Sequence, residues 1–374
     1  MSRLELTEHW SYWRDDVKIQ AYRDALRTAI TPESVVLDLG CGTGLLGLLA
    51  CEAGARKVYA VDGGAILNVA RDIALASPYA DRIEHFREMS TRLELPEKVD
   101  VVVADQIGGM AFDAGTNEYF ADARHRLATD DAVFIPGGFS LRLVPATCPA
   151  EFDELSFWTS APLGVELSSV ASLANNTIRQ VYEQTTSSFL GIPSTLAEMP
   201  SWDTTPIDAT VDVQITRAGC MHGVLGMFVA DMAPGVVMTN DPSVGTPMQQ
   251  RWQNFLPIDA AVPVEAGDVA SVAVRADPIS YQITWAVKVT RAGAIVQRSA
   301  HSTALGIFLG KDDLGTSPES PPYRLEPWRV AIERLACGVS KDELAKTIAS
   351  DFPAQFADLR AASRFATEVW EAVR

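Results

Sequence analysis

Residues 35–44 read VVLDLGCGTG, and this stretch decides the fold. Val35 to Leu39 is a short, mostly apolar run of the kind that forms a buried strand. Gly40, Gly42 and Gly44 follow as a tight turn, removing side chains where a ligand must touch backbone. Leu45 to Ala53 then reads as a helix closed by Gly54. Working outward, Lys57 to Val61 is a second strand and ends at Asp62, with Gly63 behind it. Ala65 to Ala76 is helical, Arg82 to Phe86 and Val99 to Ala104 are strands, Tyr119 to Leu127 is a helix, and Ala132 to Ile135 begins a fifth strand. Strands and helices alternate through short links, so residues 31–140 are expected to form a Rossmann-like α/β domain. Residues 8–30 read as one amphipathic helix stopped near Thr31-Pro32.

The loop also indicates its ligand. Its GxGxG spacing differs from the GxGxxG turn that seats a pyrophosphate on a helix N-terminus. Asp38 stands just before the first glycine, where a carboxylate repels a pyrophosphate but suits an ammonium group. Asp62, 18 residues after Gly44, can accept both hydroxyls of a ribose. S-adenosylmethionine carries an amino acid, a sulfonium and a ribose but no phosphate, and it is preferred here to a dinucleotide. The reading assigns its site to Asp38, Gly40, Cys41, Gly42, Gly44, Asp62 and Gly63.

The remaining chain is organised differently. Thr210 to Ile215, Val224 to Ala230, Val269 to Arg275 and Tyr281 to Val289 favour strands separated by Gly and Pro, which predicts an antiparallel sandwich or barrel over 141–310. Residues 150–200 are mixed and are expected to contain an inserted arm. Residues 311–322 (KDDLGTSPESPP) read as a linker, and the stretch to residue 374 as a small helical module, with Ser340 and Glu343 fitting a capping box. The 374 residues carry 31 Lys+Arg against 48 Asp+Glu, a net charge of −17, which argues against nucleic-acid or anionic-membrane partners. Five irregularly spaced cysteines and five histidines suggest neither a disulfide framework nor a metal site, and fit a reducing cytoplasm. No signal-peptide pattern or apolar run of membrane-spanning length is evident.

The stretch VVLDLGCGTGLLGLLACEAGARKVYAVD resembles the class I methyltransferase core, and more narrowly the protein arginine methyltransferases. HWSYWRDDVKIQAYRDAL is similar to that family's HxxMLxDxxRTxxY segment, with Asp15 and Tyr22 on its Asp and Tyr. FREMSTRLELPEKVDVVVADQIGG parallels the run from adenine-binding loop to active-site hairpin, and MTNDPSVGTPMQQRWQNFLP the stretch around a Thr-His-Trp loop. The likeness covers residues from about 8 to 300. It implies an N-terminal helix over 1–30 that covers the cofactor, a Rossmann-like domain, a β-barrel and a dimerisation arm. It also implies cofactor contacts from Lys18, in place of the family's Arg, and from Met89, Ser90 and Asp105.

Departures from the family bear on the acceptor. The hairpin's two glutamates, which hold a guanidinium, are replaced by Asp105 and by Ala114, with Asp113 one position off. A guanidinium wants two carboxylates in bidentate geometry. Arg251 stands at the His of Thr-His-Trp, and Tyr12 at the Met beside the methyl donor, with His9, Trp10 and Trp13 close by. Asp105 is the first candidate to orient or deprotonate the acceptor; Asp113, Tyr12, His9 and Arg251 complete the catalytic set. Three readings stay open. One is a methyltransferase of a small molecule or small peptide, such as the indole of a tryptophan-containing cyclic dipeptide in natural-product biosynthesis. Another is a protein or free arginine N-methyltransferase. The third is a silent cofactor-binding scaffold. A cytoplasmic homodimer is expected in any of them.

Overall fold

The computed structural model describes residues 6–182, 185–248, 252–305, 327, 330–331, 334–335, 339–353, 356 and 359–372. β1 (Val35–Leu39) is buried along its whole length. Its period-two alternation sends Val35, Leu37 and Leu39 into one core and Val36 into another. Four further strands join it: β2 (Lys57–Val61), β3 (Ile83–Phe86), β4 (Val99–Ala104) and β5 (Ala128–Ile135). They make a parallel sheet in the order β3-β2-β1-β4-β5. The strand order reverses between β1 and β4, the place where ligands bind in such sheets. Register brings the ends together: Leu39 pairs with both Val61 and Ala104, so the glycine turn, Asp62 and Asp105 leave the sheet side by side.

Helices α1 (Leu6–Arg14) and α2 (Asp16–Ala29) occupy the segment read as one helix. The break is at Asp15, whose fully buried carboxylate caps α2 by accepting the Lys18 N–H at 3.1 Å. α3 (Leu45–Glu52) follows the glycine turn, and α4 (Leu67–Leu75) and α5 (Thr116–Arg126) complete the α/β layers. Phe120 and Ala123 of α5 close the core that holds Leu37 and Leu39.

The antiparallel half contains two sheets. β6 (Gly138–Ala146), β7 (Arg179–Val181), β8 (Ser194–Pro200), β10 (Gly219–Ala233), β11 (Val236–Thr239) and β12 (Gln253–Val264) form one, and β9 (Ile207–Gln214), β13 (Val269–Ala276), β14 (Ile283–Arg291) and β15 (Ala294–Ser302) the other. One continuous core runs from Tyr22 and Leu26 of α2 through Met110 and Phe112 to Phe139, Phe228 and the fully buried Trp285.

The chain divides into two compact units, residues 1–148 with 178–299, and residues 149–177 with 300–374. In the second, α6 (Pro149–Ser156) and α7 (Ser168–Asn175) come from the segment expected to hold an arm. Residues 194–200 of that segment are β8 instead. The second unit also contains α8 (Lys341–Asp351) and α9 (Leu359–Ala372), packed around Leu344, Ile348, Phe356 and Phe365. Ser340 caps α8 by accepting the Glu343 N–H at 3.3 Å. The 311–322 linker lies outside the described residues.

Candidate active site

A cavity of about 350 Å³ opens where β1 and β4 end. Its floor is the glycine turn: Gly40, Cys41, Gly42 and Thr43, with Asp38 beneath. Gly42 has φ +55, and a Cβ there would lie 2.7 Å from the His9 ring, so the loop needs glycine on both counts. The buried Cys41 thiol is pushed well up in pKa by burial and then by the Asp38 charge, so it stays a neutral part of the floor.

Asp38 is fully buried. Its Oδ2 accepts the Gly47 N–H of α3 at 2.8 Å, while Oδ1 has no hydrogen-bond partner among the described residues. Burial pushes its carboxyl up to about 7, with Asp62 and Asp105 adding like-charge repulsion. Asp62 accepts the Gly42 N–H at 3.1 Å and the Gly64 N–H at 2.7 Å, tying the ends of β1 and β2 together.

One wall comes from α1 and α2. The Lys18 ammonium donates to Asp105 Oδ2 at 2.6 Å, and its Nζ lies 4.1 Å from the centre of the Tyr12 ring. The Tyr22 hydroxyl donates to the Ala104 carbonyl at 2.7 Å and lies 3.3 Å from Asp105 Oδ1. Tyr12 in turn donates to Glu8 Oε1 at 2.6 Å, and its ring meets His9 edge-on. Partial burial lowers the His9 pKa, which favours the neutral imidazole. Trp13 donates to the Thr43 hydroxyl at 2.9 Å, pinning α1 to the glycine turn.

The opposite wall is the hairpin that leaves β4. Gly108 and Ala111 exchange backbone hydrogen bonds at its tip. Asp113 is spent within it, accepting the Met110 N–H at 2.9 Å and the Asn254 side-chain amide of β12 at 2.7 Å. Burial raises its carboxyl above the ordinary carboxylate range. Gln106 lies against Gly40, where a Cβ would overlap its amide.

Of the residues assigned from sequence, the cavity lining contains Lys18, Asp38, Gly40, Cys41, Gly42, Asp105, Tyr12 and His9. Asp62 borders it through its bond to Gly42. Gly44, Gly63, Met89, Ser90 and Asp113 lie outside the lining, and Ala114, rather than Asp113, faces the cavity. Gly63 and Met89 do adjoin: a Cβ on the glycine would touch the Met89 sulfur at 3.4 Å. Arg251 lies outside the described residues. Trp10 is exposed and stacks under the Arg14 guanidinium, away from the lining. Glu8, Tyr119 and Trp252 join the lining without having been assigned a role. Glu8 did carry a signal, since it stands four residues before Tyr12 and so on the same helical face. Among the described residues, no three His, Cys, Asp or Glu gather to hold a metal ion, and no helix is long and apolar enough to cross a membrane.

Residues 21–115 match the family described as ribosomal protein L11 methyltransferase (PrmA). The chain is similar to protein arginine N-methyltransferase 2 of Homo sapiens, 27% identical over 283 residues, covering 68% of this chain and 64% of the relative. Protein arginine N-methyltransferase 6 of Danio rerio is 30% identical over 181 residues, covering 47% and 52%. Probable protein arginine N-methyltransferase 6 of Arabidopsis thaliana is 27% identical over 169 residues, covering 44% and 39%. The chain thus spans between 39% and 64% of these relatives' lengths. Two solved structures share the fold over 79% of this chain and 97% of theirs. One is the Trypanosoma brucei protein arginine methyltransferase 1 enzyme–prozyme heterotetrameric complex with AdoHcy, at TM-score 0.70 and 21% identity. The other is protein arginine methyltransferase 10 of Arabidopsis thaliana, at TM-score 0.66 and 19% identity. The chain carries a class I S-adenosylmethionine-dependent methyltransferase core that resembles the protein arginine methyltransferases.

Proposed function

We propose that this chain is an S-adenosylmethionine-dependent methyltransferase acting on a guanidinium nitrogen of arginine in a protein or peptide. One observation carries the reading: Asp105 leaves β4 beside the glycine turn and lines the same cavity as Asp38 and Gly42. The residues present fit the cofactor. The unpartnered, buried Oδ1 of Asp38 matches an ammonium, and the Lys18 ammonium, with three donors, can serve a ligand carboxylate while keeping Asp105. Asp62 retains lone pairs for ribose hydroxyls beyond its two backbone bonds. When bound, S-adenosylmethionine supplies an electrophilic methyl group on a sulfonium. Asp105 orients the acceptor nitrogen toward that face and takes the proton it loses.

The second reading, a neutral small-molecule acceptor such as an indole, draws on the Ala114 position and on the aromatic lining from Tyr12, Tyr119 and Trp252. Pairing of two copies through residues 149–177 belongs to either reading. It is supported by exposed Phe157, Trp158, Leu163 and Val165. Purified protein with methyl-labelled cofactor is offered arginine-rich peptides, free arginine and tryptophan-containing cyclic dipeptides. Label on peptide arginine supports the proposal, and label on the indole alone replaces it with the second reading. Cofactor binding without any turnover points to a silent scaffold.

A further inference from the structure

The hairpin presents one carboxylate to the cavity. Asp113 is held by the Met110 N–H and by Asn254, so turning it inward costs two hydrogen bonds, and Ala114 carries no charge. Besides Asp105 and Asp38 in the floor, a third acid lines the cavity, on the other wall. Glu8 stands in the first turn of α1, where the helix dipole favours an anion. Its carboxylate is oriented by the Tyr12 hydroxyl at 2.6 Å. From there the contacts continue without a gap: the Tyr12 ring over the Lys18 ammonium, and Lys18 on Asp105. Glu8 is therefore tied to Asp105 through two side chains of the same wall. α1 itself is anchored by Trp13 on Thr43 and by His9 against Gly42, so Glu8 has a fixed approach to the glycine turn.

We infer that Glu8 supplies, from the N-terminal helix, the second carboxylate that selects a cationic acceptor, facing Asp105 in place of an acid on the hairpin. This rests on the arginine reading above. A guanidinium between Asp105 and Glu8 meets two carboxylates carried on different elements, one fixed by Lys18 and Tyr22 and one by Tyr12. Glu8 here is a specificity residue: it recognises the acceptor's charge and moves no proton.

The test separates charge recognition from shape. An arginine peptide and the same peptide with neutral citrulline are titrated calorimetrically, with S-adenosylhomocysteine present, against wild type, Glu8→Gln, Glu8→Asp and Asp113→Asn. Wild type is expected to prefer arginine. Glu8→Gln is expected to cut that preference about two- to fivefold, the worth of one ion pair to an exposed carboxylate. Glu8→Asp should recover part of it, and Asp113→Asn should leave it unchanged. Glu8 is exposed, and Gln can still accept from Tyr12, so the variant should keep the wild-type Tm and S-adenosylhomocysteine affinity. If Glu8→Gln retains the full preference, or if Asp113→Asn loses it instead, the role of Glu8 is overturned while the arginine reading stands. If wild type itself shows no preference for arginine over citrulline, the arginine reading fails and the role of Glu8 fails with it.

Discussion

Asp38→Asn removes a buried carboxylate that costs the fold stability when ionised and that is proposed to hold the cofactor's ammonium. With its carboxyl moved from 3.8 to about 7, chiefly by burial, the folded protein holds the Asp38 proton more tightly than the unfolded chain does. Ionising it therefore works against folding. The stability it contributes is present below pH 4 and is lost as pH rises through about 7. At roughly 1.4 kcal/mol per unit, the loss above pH 7 is on the order of 4 kcal/mol. Asn has no such titration. Its carbonyl can keep the Gly47 N–H, but its amide then places an unsatisfied buried donor where Oδ1 was, costing about 1–3 kcal/mol. The net gain at pH 8 is about 2 kcal/mol, worth about 2–3 °C in Tm for a chain of this size. At pH 5 the gain should vanish or reverse. Binding moves the other way: losing the contact to an ammonium should weaken S-adenosylhomocysteine about 10- to 100-fold. Wild-type affinity should also fall as pH drops below 7, because the charged form must be restored. Scanning calorimetry from pH 5 to 9 and isothermal titration with S-adenosylhomocysteine check both halves. A Tm difference that is constant across pH would refute the raised carboxyl. An unchanged Kd would refute the ammonium assignment.

Other perturbations follow from the same site. Lys18→Met strands the mostly buried Asp105 without its counter-ion and should cost about 2–4 kcal/mol in denaturant unfolding, with weaker cofactor binding. Gly42→Ala meets both a positive φ and the His9 ring; it should lose about 1–2 kcal/mol of stability and at least tenfold in S-adenosylhomocysteine affinity by titration. Asp113→Ala frees the Met110 N–H and the Asn254 amide and should lower stability by about 2–4 kcal/mol. A normal Tm with a lost kcat would show instead that Asp113 works on the acceptor.

The α/β half was legible because its decisive signals are local. VVLDL is buried on both faces and reads as a continuous run, and the glycines occupy positive-φ positions that other residues adopt at a cost. Asp105 was legible for the same reason, since the end of β4 can be counted from its apolar run. The break at Asp15 was hidden because the helical period continues across it. What interrupts the helix is a buried cap, and burial is a tertiary fact. The direction of Asp113 was hidden more deeply. Its partner Asn254 is 141 residues away, and nothing near position 113 says that β12 will offer an amide there.

The role proposed for Glu8 would make a missing motif residue a poor guide to a missing charge. In a chain with 48 acids, the sequence does not mark which of them line the cavity. An acid lost from a hairpin is sought on that hairpin, although α1, almost a hundred residues earlier, also lines the cavity. The site is defined by which walls face each other, and a carboxylate serves an acceptor equally from either wall. Moving one acid from the hairpin to α1 changes what holds it, however. A hairpin acid is fixed by the loop's own backbone, whereas Glu8 depends on the Trp13–Thr43 bond and the His9–Gly42 contact that seat α1. On the proposed role of Glu8, selection for a cationic acceptor is coupled to the glycine turn itself, so that loosening α1 at Trp13 should blunt acceptor choice and cofactor affinity together.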